Sequence, residues 1–212
     1  MKTCITLFIL LIATTAWAQP ERTQYAMDGA VHKVGGFSKT EIRYASIDGE
    51  GAWIAGFRGV LLLNRGFWLG GAYFMKIDDG VPAAFRAGDR SPYLNLEYGG
   101  LNLGYIVATD EIVHVTLDAL LGYGEYSFED PEGIIEFQNL SFLILEPGAN
   151  IEINIFEWMR LNFGASLRVM IGNEENNDVI QYQFGRQVHE YDFESSDLSG
   201  VSINFGLTFG GF

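Results

Sequence analysis

The residues best suited to chemistry stand close together near the end of the 212-residue chain: His189, Glu190, Asp192, Ser195 and Ser196. A histidine beside a carboxylate and a hydroxyl has the parts for acyl transfer, the base activating the hydroxyl and the acid orienting the base. Serines and acids are also ordinary loop residues, and a single histidine in a polar stretch is usually solvated, so these residues make a weak catalytic candidate. His114 and His32 are remote from that group, and three scattered histidines offer no zinc spacing. Glu174, Glu175, Asn176, Asn177 and Asp178 carry the oxygen ligands that suit calcium or magnesium. They lack the spacing of a defined calcium loop and read as a solvated acidic loop. No metal and no cofactor is expected.

These groups lie in polar connections, and what holds the connections is a series of strands. Apolar residues alternate with small or polar ones nearly throughout, the period-two signature of β structure. Eight strands are predicted: Lys39–Ile47, Ala52–Leu62, Phe67–Ile77, Tyr93–Ile106, Ile112–Phe128, Leu140–Ile155, Met159–Ile171 and the stretch VSINFGLTFGGF from Val201. In the fourth, Leu94, Leu96 and Tyr98 share one phase and Leu101, Leu103 and Tyr105 the other. A bulge at Gly99-Gly100 is expected there, because one extra residue reverses the phase. Connections alternate in length. Leu63–Gly66, Thr109–Glu111 and Phe156–Trp158 are tight, whereas Ile77–Ser91, Glu129–Asn139 and Gly172–Gly200 are long, polar and acidic. Only Asp48–Gly51 breaks the trend.

The first residues, MKTCITLFILLIATTAWAQ, have the form of a secretory signal: Lys2, a short apolar core, then Ala16-Trp17-Ala18 as a cleavage site. Residues 1–18 are expected to be removed, 19–36 to form a periplasmic lead-in and 37–212 to form one domain. The single cysteine, Cys4, leaves with the signal, so the mature chain has neither a disulfide nor a thiol nucleophile. A formal charge of −14 disfavours nucleic acid, which needs a basic surface.

Long strands in even number, joined by alternating short turns and long loops, are the pattern of a transmembrane barrel. A tilted strand of about nine to eleven residues crosses a bilayer. Lipid demands closure, since every backbone N–H and C=O there must be paired. A soluble β-sandwich or lipocalin-like barrel would instead turn a row of Gly, Asn and Ser to water, and lysine does not recur after Lys76. The expected fold is all-β, an eight-stranded antiparallel up-and-down transmembrane β-barrel. An interior of this size is filled by side chains. Arg58, Glu97, Asp118, Glu146, Glu152, Arg160 and Arg168 are assigned to an inward polar network that must pair internally or hold water. His114 is placed near the same interior. Trp68, Phe156, Trp158 and Phe209 are assigned to an aromatic girdle at the short-turn end, and Trp53, with Tyr73, Tyr123 and Tyr126, to one at the long-loop end.

With the layout and the last strand in view, the chain resembles the small bacterial outer-membrane β-barrel proteins, similar in plan to the eight-stranded OmpX/OmpA-type barrels. FLILEPGANIEINIFEWMRLNFGASLR also resembles a segment of barrel proteins known only by their fold. Members of this group end in an alternating strand with an aromatic that the barrel assembly machinery recognises. Gly206, Phe209 and Phe212 match that signal, although Gly210 stands where a further aromatic is usual. The resemblance implies an outer-membrane location, contact with outer-membrane lipids and lipopolysaccharide, assembly by the barrel machinery and periplasmic chaperones, and a monomer. The expected role is structural or surface-interacting, with acidic loops outside. Alternatives are a narrow pore for small or apolar solutes and, because some small barrels are lipid A acyltransferases or deacylases, a lipid A-modifying enzyme using His189.

Overall fold

The computed structural model describes residues 34–64, 66–79, 93–107, 111–129, 140–172, 179–184, 187–192 and 195–212. The signal segment with Cys4, His32, most of the lead-in, the 130–139 stretch and Glu174 to Asp178 lie outside these residues, as do the side chains of His189, Glu190, Asp192, Ser195 and Ser196.

Among the described residues ten strands follow in order: β1 (Val34–Ile47), β2 (Glu50–Leu63), β3 (Phe67–Lys76), β4 (Tyr93–Val107), β5 (Val113–Glu129), β6 (Leu140–Phe156), β7 (Met159–Gly172), β8 (Val179–Phe184), β9 (Gln187–Asp192) and β10 (Gly200–Gly211). Eight of them close a barrel in the order β1-β10-β7-β6-β5-β4-β3-β2, each antiparallel to both neighbours. The seam between β1 and β10 runs from Gly36 opposite Gly211 to Ala45 opposite Ser202, so no edge is left unpaired over that length. Strand β1 opens at Val34, three residues before the barrel boundary expected from the sequence.

Turn chemistry sets the pairing. Asp48 and Gly49 have φ of 48° and 73°, the two left-handed residues that a two-residue type I′ hairpin needs, and Ile47 faces Glu50 across it. At the other end of the barrel Asn64, with φ 52°, turns β2 into β3. The β8–β9 hairpin lies within the long connection from β7 to β10, where the sequence reading placed only a loop. Its signal is present in VIQYQF and QVHEYD, two short alternating runs around Gly185-Arg186.

The expected bulge at Gly99-Gly100 does not exist. Register runs unbroken through both residues, with Tyr73 and Tyr123 flanking Gly99, and Ala72 and Gly122 flanking Gly100. The reversal of the apolar row has another cause: the chemistry of the interior changes along the strand. Toward the long-loop end Leu94, Leu96 and Tyr98 face inward and are buried, while Asn95 and Glu97 face out. Toward the short-turn end Asn102 is inside, and Leu101, Leu103 and Tyr105 are outside. The register irregularity in the sheet falls instead in β6 and β7, between Asn154 and Phe156.

The outer surface is a band of exposed apolar side chains such as Ile42, Phe57, Leu61, Leu117, Leu145, Ile151, Phe163, Leu167 and Phe205. In a water-soluble protein this would be a large sticky patch; around a barrel with paired edges it is the surface that meets lipid. No helix among the described residues is long and apolar enough to cross a membrane; the apolar band fits a crossing by strands, whose backbone groups the closed sheet pairs.

Candidate functional site

Alternation places every second side chain of each strand in the lumen, where three kinds of filling succeed one another. The middle is charged. Arg43 and Glu41 lie two apart on β1 and so share its inner row. Arg43 Nε donates to Glu41 Oε1 at 2.5 Å, and its Nη1 donates to Glu146 Oε1 of β6 across the lumen. The same Nη1 donates to the Tyr98 hydroxyl at 3.2 Å, which in turn donates to Glu146 Oε2 at 3.1 Å. Arg58 of β2 pairs with Asp118 of β5 and reaches Glu41 Oε1 at 3.3 Å, and Lys39 stands 3.5 Å from Glu41 Oε2. Asn150 donates to the other Asp118 oxygen at 2.9 Å. The Phe74 ring lies under Arg43, 3.6 Å from its guanidinium carbon. Buried charges persist when each is paired and hydrogen-bonded, and here both signs alternate across the lumen.

Toward the short-turn end a second polar group forms on the β5, β6 and β7 side. His114 Nε2 stands 3.3 Å from Glu152 Oε2 and 3.4 Å from Arg160 Nη1, and Arg160 lies 3.6 Å from the same carboxylate oxygen. The guanidinium of Arg160 covers the Phe212 ring at 3.4 Å. Across from this group an apolar base is built from Phe37, Val60, Leu62, Trp68 and Ile106, with Phe212 packed against it.

Toward the long-loop end the lumen is apolar. Ile47, Ile54, Phe74, Leu94, Leu96, Leu120, Tyr126, Phe128, Phe142, Ile144 and Met170 form one buried cluster. It is closed from above by the 3-10 turn Ser195–Leu198, whose Leu198 side chain belongs to the cluster.

Of the residues assigned to the interior network, Arg58, Asp118, Glu146, Glu152, Arg160 and Arg168 are buried in the lumen. Arg168 stands apart from the others. Its Nε donates to Leu198 O at 2.7 Å and its Nη2 to Ser46 O at 3.0 Å, so it binds backbone rather than a carboxylate. Glu97, expected inside, lies on the outer surface: the upper lumen is apolar, so the polar members of β4 turn outward there. It accepts a hydrogen bond from Tyr73 at 2.5 Å and sits directly opposite Glu125. Lys39, Glu41 and Arg43 were missed, although Glu41 and Arg43 stand on the polar row of the first predicted strand.

The aromatic assignments divide in the same way. Phe156, Trp158 and Phe209 form a continuous outward stack at the short-turn end, with ring centroids 5.5 and 6.2 Å apart and interplanar angles of 8° and 18°. Trp53 faces out at the other end against Tyr44, with centroids 5.1 Å apart. Trp68 does not face lipid. It is buried in the base because its indole N–H donates to Asn102 Oδ1 at 3.2 Å and its ring meets Phe37 edge-on at 5.5 Å; the exposed residue of that pair is Phe67. Tyr126 is likewise inside, in the upper apolar cluster. Gly206 faces inward, where an added Cβ would press on the Thr40 carbonyl of β1. Gly210 has no room for a side chain either, since its Cβ would meet Gly36 O and Phe37 Cα. This explains why an aromatic is missing at that position: the strand must lie flat on Phe37.

Among the described residues no group of three or more His, Cys, Asp or Glu could hold a metal ion. The His114–Glu152–Arg160 group has a base and an acid but no hydroxyl or thiol bonded to the histidine, as nucleophilic catalysis requires.

No protein-family model and no curated protein sequence matches the chain. Solved structures do match in shape. Neisserial surface protein A (NspA) superposes with a TM-score of 0.51 at 14% identity, covering 83% of this chain and 96% of that one. A major outer membrane protein from Thermus thermophilus gives 0.51 at 13% identity, covering 82% and 98%. Ail, the attachment invasion locus protein of Yersinia pestis, gives 0.48 at 12% identity, covering 83% and 97%. The chain has the fold of the eight-stranded outer-membrane β-barrels.

Proposed function

We propose that this chain is an integral protein of the bacterial outer membrane, exported through a cleaved signal, with a structural or surface-interaction role rather than a conducting or catalytic one. The observation that carries it is the filled lumen. Side chains occupy it as an apolar base, a charged middle and an apolar top, and the top is closed by the chain's own 3-10 turn. A conducting path would have to displace paired charges and packed rings at successive levels. What is left to meet other molecules is the long-loop end and the lipid-facing band. The partners are then outer-membrane lipids and lipopolysaccharide, with the barrel assembly machinery and periplasmic chaperones acting during biogenesis on a monomer. Gly206, Phe209 and Phe212 serve as the assembly signal, and Phe156, Trp158 and Phe209 as the periplasmic anchor.

Purified, folded protein in planar bilayers tests the role directly. No steps above background are expected, and reproducible single-channel conductance would overturn the proposal in favour of a pore. Lipid A from a deletion strain is expected to match the parent; a changed acylation pattern, restored by the gene but not by His189→Ala, would establish the enzyme instead.

A further inference from the structure

Most of the connection between β7 and β10 lies beyond the barrel ladder, but its last residues enter the mouth. Leu198 is fully buried among the upper apolar side chains. Three hydrogen bonds fix the segment around it, and a fourth ties its arginine partner to β1. Arg168 donates to Leu198 O and to Ser46 O, joining this segment to the end of β1. Asp48 N donates to Asp197 O at 2.9 Å, tying it to the β1–β2 turn. Met170 N donates to Ser199 Oγ at 2.9 Å, tying it to β7.

None of these contacts is part of the closed sheet. The β7–β10 ladder ends where Gly200 faces Arg168, so the segment before Gly200 can leave with every barrel pairing intact. The other buried cations, Lys39, Arg43, Arg58 and Arg160, face carboxylates and are held by charge. Arg168 is held by two carbonyls, and water at an opened mouth can replace a carbonyl as acceptor. With the segment seated, Arg168 Nη1 is buried without a hydrogen-bond partner among the described residues; at an opened mouth water can satisfy it and replace Leu198 O, while Ser46 O stays in place on β1.

We propose that Ser195–Ser199 is a removable stopper of the barrel mouth, seated by Leu198 and pinned by Arg168. Its release uncovers the apolar upper lumen and frees the root of the β8–β9 hairpin. This goes beyond the surface role proposed above, and its test does not depend on that role or on which way the barrel faces.

The experiment is limited thermolysin digestion of the folded, detergent-solubilised protein, with mass spectrometry of the bond between Asp197 and Leu198. Folding is checked by the faster migration of the unboiled protein. In the unaltered protein this bond is expected to resist while the β8–β9 hairpin is cut. In Arg168→Gln, still folded, cleavage there should rise about ten-fold or more, the equivalent of a lost charged hydrogen bond. Should Arg168→Gln fail to fold, Ser199→Ala decides, with an expected rise of about three-fold for a neutral bond. The proposal is overturned if the unaltered protein is cut before Leu198 as fast as the unfolded chain, or if the deciding folded variant is cut no faster than its parent.

Discussion

Two levels of the barrel interior, the middle and the mouth, are filled by opposite chemistries, while the outside carries an apolar band that polar residues such as Asn95 and Glu97 interrupt toward the long loops. In the half nearer the short turns the lumen holds Arg58, Asp118, Asn150, Glu152 and Asn162, so inner and outer rows contrast. In the half nearer the long loops it holds Leu94, Leu96, Tyr126, Phe142 and Ile144, and the contrast vanishes or inverts. The bilayer dictates only the outer row. The inner row answers to what fills the lumen at each height: paired charges above the apolar base in one half, a packed core under Leu198 in the other.

The largest effect should come from the charged half. Arg43→Met leaves Glu146 buried without its cation and Glu41 with only Lys39 and Arg58, and is expected to cost about 3–5 kcal/mol in denaturant unfolding from detergent or vesicles. Adding Glu146→Leu should recover part of that loss; if it does not, the pairing across the lumen is not what Arg43 contributes. In the apolar half two neighbours give a sharper contrast. Leu120 is buried in the lumen and Leu121 is 60% exposed on the outside. Leu120→Ala should cost about 3 kcal/mol because it leaves a cavity. Leu121→Ala should cost less, since lipid chains can close over the gap. Equal losses would mean that the upper lumen is wet.

Smaller effects test the boundaries between regions. Gly210→Tyr restores the aromatic usual in that strand but presses on Gly36 and Phe37, and should destabilise by about 1–3 kcal/mol and slow refolding into vesicles. The smallest change concerns Glu97. Outward and directly opposite Glu125, it faces a like charge, so Glu97→Gln should stabilise by about 0.5 kcal/mol. A large loss instead would put Glu97 in the interior network after all.

The strands were legible in the sequence because alternation survives wherever one row is polar; β5 and β7 show it along most of their length. The face of a residue was less legible, because it depends on what fills the lumen at that height, and no single strand records that. Glu97, Trp68 and Tyr126 face the opposite way from expectation for this reason: polarity does not by itself mean inside, nor aromaticity lipid. Arg43 and Glu41 are legible from alternation, since they stand on the polar row of β1 and alternate with Ile42 and Tyr44. Glu146, which pairs with Arg43, and Asp118, which pairs with Arg58, come from strands far away in sequence, and only closure brings these pairs together. The β8–β9 hairpin is hard to read from sequence because its runs are short and set among acids.

That separation bears on the order of events during folding. Arg43 and Glu146 are 103 residues apart, and the seam that closes the barrel joins β1 to β10. Until that seam forms, Arg43 has only Glu41 of its own strand, and Glu146 on the far side keeps its water. Insertion that ran ahead of closure would drag unpaired ions into hydrocarbon, at a cost of several kcal/mol each. Closure and desolvation therefore have to proceed together, and the distant contacts make the step slow. The ion cluster at mid-height is in this sense a timing constraint, penalising any half-closed sheet that enters the membrane too early.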